Sequence, residues 1–264
     1  MVANGRDATS CVSRTNDRLN PLMDGAAFIA RSAAKKRSDA SPPGKVVIHP
    51  IAIRYFFCGD VEQTIRPVLD DIEKRLGSLP QASLPLRERI QRTGHALLAA
   101  KETEYLGSPR SGPLMERVAR LREEVLAPLE RKWIRSVRRR ETMARVKAIR
   151  MAIFPGLIDE RLAQAEKEQL WREIGDLYFV QQLHCYPEHY LDGDVPERLL
   201  EMVEHYEEDL TDKVRPHRPL RAAVCIGDAL EVEPTSAHHP HGDPLMDELR
   251  LRLEGLKDTS MDLR

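Results

Sequence analysis

Two stretches of the chain are apolar almost without a break. VVIHPIAIRYFF (Val46–Phe57) and LRAAVCIGDALEV (Leu220–Val232) are rich in β-branched and aromatic residues, and both read as buried strands. The first is apolar on both faces, a pattern that suits the middle of a covered sheet. Ahead of it, Ala26–Ala34 reads as a helix body closed by Lys35, Lys36 and Arg37, cations that favour a helix C-terminus. SDASPPGK follows as a loop. Helix, loop and strand in that order make half of a parallel α/β unit.

Between the two runs the period changes. Val61, Ile65, Val68, Leu69, Ile72 and Leu76 fall on one helical face, and Gly77 is placed to stop that helix. LRERIQRTGHALLAAKETEYLG predicts a second helix. SGPLMERVARLREEVLAPLERKWI predicts a third, with Ser111 as its cap and a kink at Pro128. The next segment continues or restarts the helix and is expected to end before Pro155. Another helix is expected from a capping Asp159, carrying Leu162, Leu170, Ile174, Leu177 and Tyr178. A further one starts from Asp194 with Pro196 in its first turn. After the second apolar run, Asp243 and Pro244 open a closing helix with Met246, Leu249, Leu253 and Leu256 as its stripe. No fixed repeat period is present.

The expected fold class is therefore α/β in its sheet and mostly helical overall. Residues 1–58 and 220–264 form a few-stranded residual core, and residues 59–219 form a large all-helical insertion. Two strands alone rarely make a stable sheet. The sheet is thus expected to be completed by strands from a partner or from sequence outside this chain.

Composition narrows the partners. The chain has 264 residues with 41 Lys+Arg against 42 Asp+Glu, a balance that excludes a general nucleic-acid binder. Aromatics are only 5%, too few for a base-stacking surface. Cys11, Cys58, Cys185 and Cys225 are widely spaced and suggest neither a disulfide framework nor a zinc site, so four reduced thiols in a cytoplasmic protein are expected. The first residues lack the apolar stretch of a signal peptide, and no run is long enough to span a bilayer.

Three local features carry candidate chemistry. Arg131–Arg150 holds nine cations and one anion, and reads either as a basic face lying on anionic lipid or as a solvated face beside acidic neighbours such as Glu204–Asp209. The second reading is adopted, because Trp133, Ile134, Val146 and Ile149 do not form one stripe. His238, His239 and His241 make a short His-rich loop, without a carboxylate or thiol to complete a metal set. His49 and Arg54 sit inside the first strand run. His49 is read as a satisfied strand residue, and Arg54 as a phosphate contact or a structural ion pair.

Several segments together resemble the glycerolphosphate and lysophospholipid acyltransferase family. Ser13-Arg14 look like the tail of its phosphate-binding motif, of the type FPEGT-R-S. Pro50-Ile51-Ala52-Ile53 look like its VPVAI strand, and Ile226-Gly227-Asp228-Ala229-Leu230 look like its V-x-I-G-x-P-I strand. The resemblance covers roughly residues 12–57 and 220–256, and the helical block lies outside it. It implies acyl transfer from an acyl thioester, carried by coenzyme A or acyl carrier protein, to a glycerol phosphate or lysophospholipid hydroxyl. It also implies substrate binding by Ser13 and Arg14, no cofactor, and peripheral contact with the inner membrane face. The family uses a His-x4-Asp motif ahead of FPEGT, with His as general base. Here the EGT-R positions read Thr9, Ser10, Cys11 and Val12, and no His-x4-Asp precedes them. The isolated chain is therefore expected to be inactive, with no catalytic residue of its own and a gene start downstream of the motif. His189–Asp194 and His238–Asp243 match the spacing but follow the first strand, and both aspartates read as helix caps. The alternative is a non-catalytic helical interaction protein that docks through its strands.

Overall fold

The computed structural model describes residues 17–19, 22, 25–134, 141–186, 189–193, 195–211, 213, 215–234 and 243–263. Along them run α1 (Gly25–Ser38), β1 (Val47–Ile48), β2 (Ile51–Phe57), α2 (Val61–Arg75), α3 (Leu86–Leu106) and α4 (Leu114–Trp133). Then come α5 (Thr142–Ile158), α6 (Gln164–Cys185), α7 (Pro196–Thr211), β3 (Leu220–Ile226), β4 (Leu230–Glu231) and α8 (Pro244–Met261). The chain is mostly helical with a small antiparallel strand component. Two compact units result, one from Thr15–Thr64 with Pro216–Arg264, the other from Ile65–Arg215.

In the first unit the two apolar runs pair with each other. β2 and β3 are antiparallel from Ile51↔Ile226 to Phe57↔Leu220, and β1 and β4 are antiparallel through Val47↔Glu231 and Ile48↔Leu230. The expected parallel arrangement is thus replaced by an antiparallel one. The reason lies in the connection: residues 57 and 220 stand side by side, so the helical excursion leaves and returns at one end of the ribbon. Two strands joined that way must run in opposite directions. Between the pairs the ladder breaks at His49-Pro50, because proline has no N–H to give. Gly227 N–H still reaches Pro50 O at 2.8 Å, and Val232 N–H reaches Val46 O at 2.9 Å. A Cβ on Gly227 would lie 2.8 Å from Pro50 Cγ and 3.0 Å from Leu256 Cδ1, so the close approach requires glycine.

Alternation along the ribbon separates its faces. Arg54, Phe56, Ala223 and Cys225 are buried, and α8 packs across the strands. The opposite face carries Ile51, Ile53, Tyr55, Leu220, Val224 and Ile226, each between 42% and 67% exposed. The first run is therefore not a strand covered on both faces, as its composition suggested. α1 contributes Ala27, Ala30 and Ala34 to a small core with Val232, Leu245, Met246 and Leu249. Asp243 caps α8 by accepting the Leu245 N–H at 2.9 Å and also pairs with Arg31 at 2.7 Å.

The helical unit is built on α4, α5 and α6. Leu121, Leu126, Val146, Ile149, Ile153, Leu177 and Val180 form its inner core. α5 continues through Pro155 to Ile158 instead of ending before the proline, because buried Ile153 and core-packed Leu157 hold the last turn in place. Ser111 does not cap α4, whose N-cap is Pro113. Asp159 does not start α6. It bonds Arg161, and Glu166 instead accepts the Ala163 N–H at 3.1 Å. Gly77 does stop α2, with φ +74°. Asp194 lies outside the described residues. Cys58 and Cys225 are free, whereas Cys185 is disulfide-bonded. Wide spacing in sequence is no bar to that link once the chain is folded.

Buried charges pin the helices of this unit in pairs. Fully buried Arg89 donates to Glu73 through Nε at 2.9 Å and Nη2 at 2.8 Å. Arg117 grips Glu102 at 3.0 and 2.7 Å. Arg145 meets Glu130 and Glu123, both at 2.7 Å. Lys132 and Trp133 converge on Glu173. Each pairing offsets the desolvation that an isolated charge would suffer.

Candidate functional site

The residues singled out by sequence do not assemble into a reaction centre. Ser13 and Arg14 lie outside the described residues, as do His238, His239 and His241. His49 is exposed, with Nδ1 3.3 Å from Gly227 O. Arg54 is buried on the inner face of the ribbon, its guanidinium 5.3 Å from the centre of the Phe56 ring. Arg221 approaches the same ring at 5.5 Å and donates to Leu263 O at 2.7 Å. His189 occupies an exposed turn at φ 56°, 3.0 Å from Asp192. Asp243 is committed to its cap and to Arg31. Among the described residues no group of His, Cys, Asp or Glu is arranged to hold a metal ion. No helix among them is long and apolar enough to cross a membrane.

The basic segment resolves into structural pairs where it is described. Lys132 meets Glu173, Arg145 meets Glu123 and Glu130, and Arg150 donates to Gln181 at 2.9 Å. These partners come from α4 and α6, not from the acidic stretch at Glu204–Asp209. The solvated basic face thus has acidic neighbours, though different ones from those expected.

One feature of the helical unit was not legible in the sequence. A cavity of about 450 Å³ opens between α3, the start of α4, α6 and α7. That volume lies within the range of small-molecule sites. Leu97, Leu98, Leu114, Met115, Val118 and Leu183 form aliphatic wall. Tyr105 and Phe179 form a stacked aromatic wall, with ring centres 4.9 Å apart and planes within 3°. At the rim Lys101 pairs with Glu104 at 2.8 Å and stands 5.6 Å from the Phe179 ring.

Two of the tyrosine hydroxyls of this cavity are engaged. Tyr105 donates its hydroxyl to Asp176 at 3.0 Å, and Tyr186 donates to Asp209. Burial first, and then the neighbouring carboxylates, push the Tyr105 and Tyr186 hydroxyls above the usual phenol range. Tyr206 is raised in the same way by burial and Asp209. All three remain protonated and uncharged near neutrality. No histidine, serine or cysteine is among the lining residues. The one sequence signal of the cavity was a pair of glycines inside helices. Gly94 admits the Tyr206 hydroxyl where a Cβ would overlap it, and Gly175 faces open space.

No family model matches the chain, and no curated protein or solved structure matches it.

Proposed function

We propose that this chain carries the later part of a phospholipid or glycerol acyltransferase core, enlarged by a helical block. The complete enzyme moves a fatty acyl group from a thioester of coenzyme A or acyl carrier protein to a glycerol phosphate or lysophospholipid hydroxyl. It works peripherally at the inner membrane face. Ser13 and Arg14 contact the substrate phosphate, and the general base comes from a His-x4-Asp motif ahead of them. No cofactor enters the reaction.

The observation that carries this reading is the incompleteness of the ribbon. β2 and β3 each have a single strand neighbour among the described residues, and one ribbon face is open and apolar. Unpaired strand edges and an uncovered apolar face are features of a layer that continues. The two runs that leave this opening are the same two that carry the acyltransferase-like motifs. The open edges also suit a non-catalytic protein docking onto a partner's sheet. That alternative does not account for the order of the three motif-like segments.

The test has two arms. Incubated with acyl-CoA and lysophosphatidate, the chain as given produces no phosphatidate, because it has no base in place. Nucleotide sequence upstream of Met1, read in all frames, encodes His-x4-Asp followed by Pro-Glu-Gly. Robust turnover by this chain, or absence of that upstream motif, overturns the proposal.

A further inference from the structure

We infer that the cavity of the helical unit binds a single hydrocarbon chain. Three observations lead there. The volume, about 450 Å³, is that of a site for a small ligand. The hydroxyls of Tyr105 and Tyr186 are spent on Asp176 and Asp209, and the rest of the wall is mainly aliphatic and aromatic, with Tyr178, Gln182 and Tyr206 as its further polar side chains. An occupant rich in polar groups would leave them unsatisfied and bind poorly. The polar residues Lys101 and Glu104 stand at the rim, where the head of a single-chain amphiphile would remain in water.

Gly175 supplies the site for the test. It lies in the interior of α6, where glycine is less favourable than alanine. It is exposed, lines the cavity beside Tyr178 and Phe179, and a Cβ there would meet nothing within 4 Å. A larger side chain can therefore be placed next to the cavity without a clash.

The hydrocarbon nature of the occupant follows from the cavity itself. Its being an acyl chain, as opposed to another alkyl chain, rests on the function proposed above. The same chemistry could arrive as a free fatty acid or as a monoacyl glycerophosphate.

The experiment is titration calorimetry on the full chain with decanoate, with decanoyl glycerol phosphate and with naphthalene, repeated on Gly175→Leu. Wild type binds at least one of the two decanoyl compounds saturably, and the preferred one identifies the source of the chain. Gly175→Leu melts no lower than wild type, because the new side chain fills empty space in a helix that prefers it. It loses at least about tenfold in affinity, since its four carbons take the place of chain methylenes. Should Gly175→Leu fail to fold, Met115→Trp fills the cavity from another wall and is read in the same way. No saturable decanoyl binding, naphthalene binding in its stead, or unchanged affinity in a folded filled variant overturns the inference. Such a failure leaves the acyl-transfer proposal standing, since that proposal rests on the ribbon and has its own assay.

Discussion

The open ribbon face makes a quantitative demand. Ile51, Ile53, Tyr55, Leu220, Val224 and Ile226 each keep roughly half of their surface in water. Fully burying an aliphatic side chain contributes about 1.5–3 kcal/mol, so covering the remaining half of six such residues contributes roughly 4.5–9 kcal/mol per copy, and roughly 9–18 kcal/mol where two copies cover each other. Association of two molecules opposes this with about 4–15 kcal/mol of lost freedom. Self-association through the ribbon is therefore marginal to favourable, and concentration dependent. The informative perturbation replaces the cross-strand pair Ile53↔Val224 with opposite charges, Ile53→Glu and Val224→Lys. Opposite charges facing each other keep the register and offset some of the lost strand propensity. Both sites are more than half exposed, so the folded monomer loses only about 1 kcal/mol. Sedimentation velocity over a dilution series should show wild type shifting to larger species as concentration rises, and the double variant staying monomeric. Thermal melts followed by far-ultraviolet dichroism should differ by only a few degrees. Wild type that remains monomeric throughout and binds no hydrophobic dye would refute the claim that this face needs a cover.

Further outcomes follow from the paired charges and the close contacts. Arg89→Met strands the buried Glu73 carboxylate and lowers urea-unfolding stability by about 3–5 kcal/mol, while adding Glu73→Leu restores most of it. A double variant no more stable than the single one would show that the pair is not the source of the loss. Gly227→Ala forces a Cβ against Pro50 and Leu256 and costs about 1–3 kcal/mol in a thermal melt, whereas Gly112→Ala, with φ +120° but open space around it, tests backbone strain alone. Stability also falls on acidification in two stages, measured by urea unfolding across pH. Burial and a neighbouring arginine hold His95 and His184 below the ordinary histidine value of about 6.5, so below that pH the unfolded chain takes protons that the folded chain refuses. Hydrogen bonding to Arg117 holds Glu102 below the carboxylate range, and hydrogen bonds from Lys132, Gln169 and Trp133 outweigh burial to do the same for Glu173. Their contribution is present above about 4.3 and is lost below it, while Asp176, raised by burial, opposes the trend in part. A stability flat between pH 7 and 4 would contradict this assignment.

Both strand runs were readable because β-branched residues gather where the chain is extended. Their relative direction was not, because it is set by where a long excursion starts and returns, and no local pattern records that. Asp243 was readable as a cap since the proline after it pre-forms the first turn. Ser111 and Asp159 misled because capping side chains mark a start only when packing puts the first turn beside them. The buried charges were hidden by the convention that arginine faces water. Yet Arg89 lies between Leu86 and Thr93 on the same stripe as Ile90, all of them buried, so the period marked it as inward. The cavity needed four helices to be placed together, and only the mid-helix glycines Gly94 and Gly175 hinted at it.

The two units meet their internal demands differently. In the helical unit, fully buried Arg89 and nearly buried Glu102 and Glu130 each have an oppositely charged partner, and the apolar core is closed around Ile149 and Leu177. That unit also exposes Met151, Phe154, Ile158 and Trp171, but these lie on helices whose backbone groups are bonded internally. In the ribbon unit, two strands bond to each other along one edge apiece, and half of their apolar surface is still in water. A natural sequence keeps such surface only where something covers it. The motif-like residues at 50–53 and 226–230 fall on this open ribbon and not in the helical unit. Under the proposed function, the open strand edges and the motif-like residues therefore coincide in one place, and the ribbon, not the larger helical block, is where a further strand is expected to add.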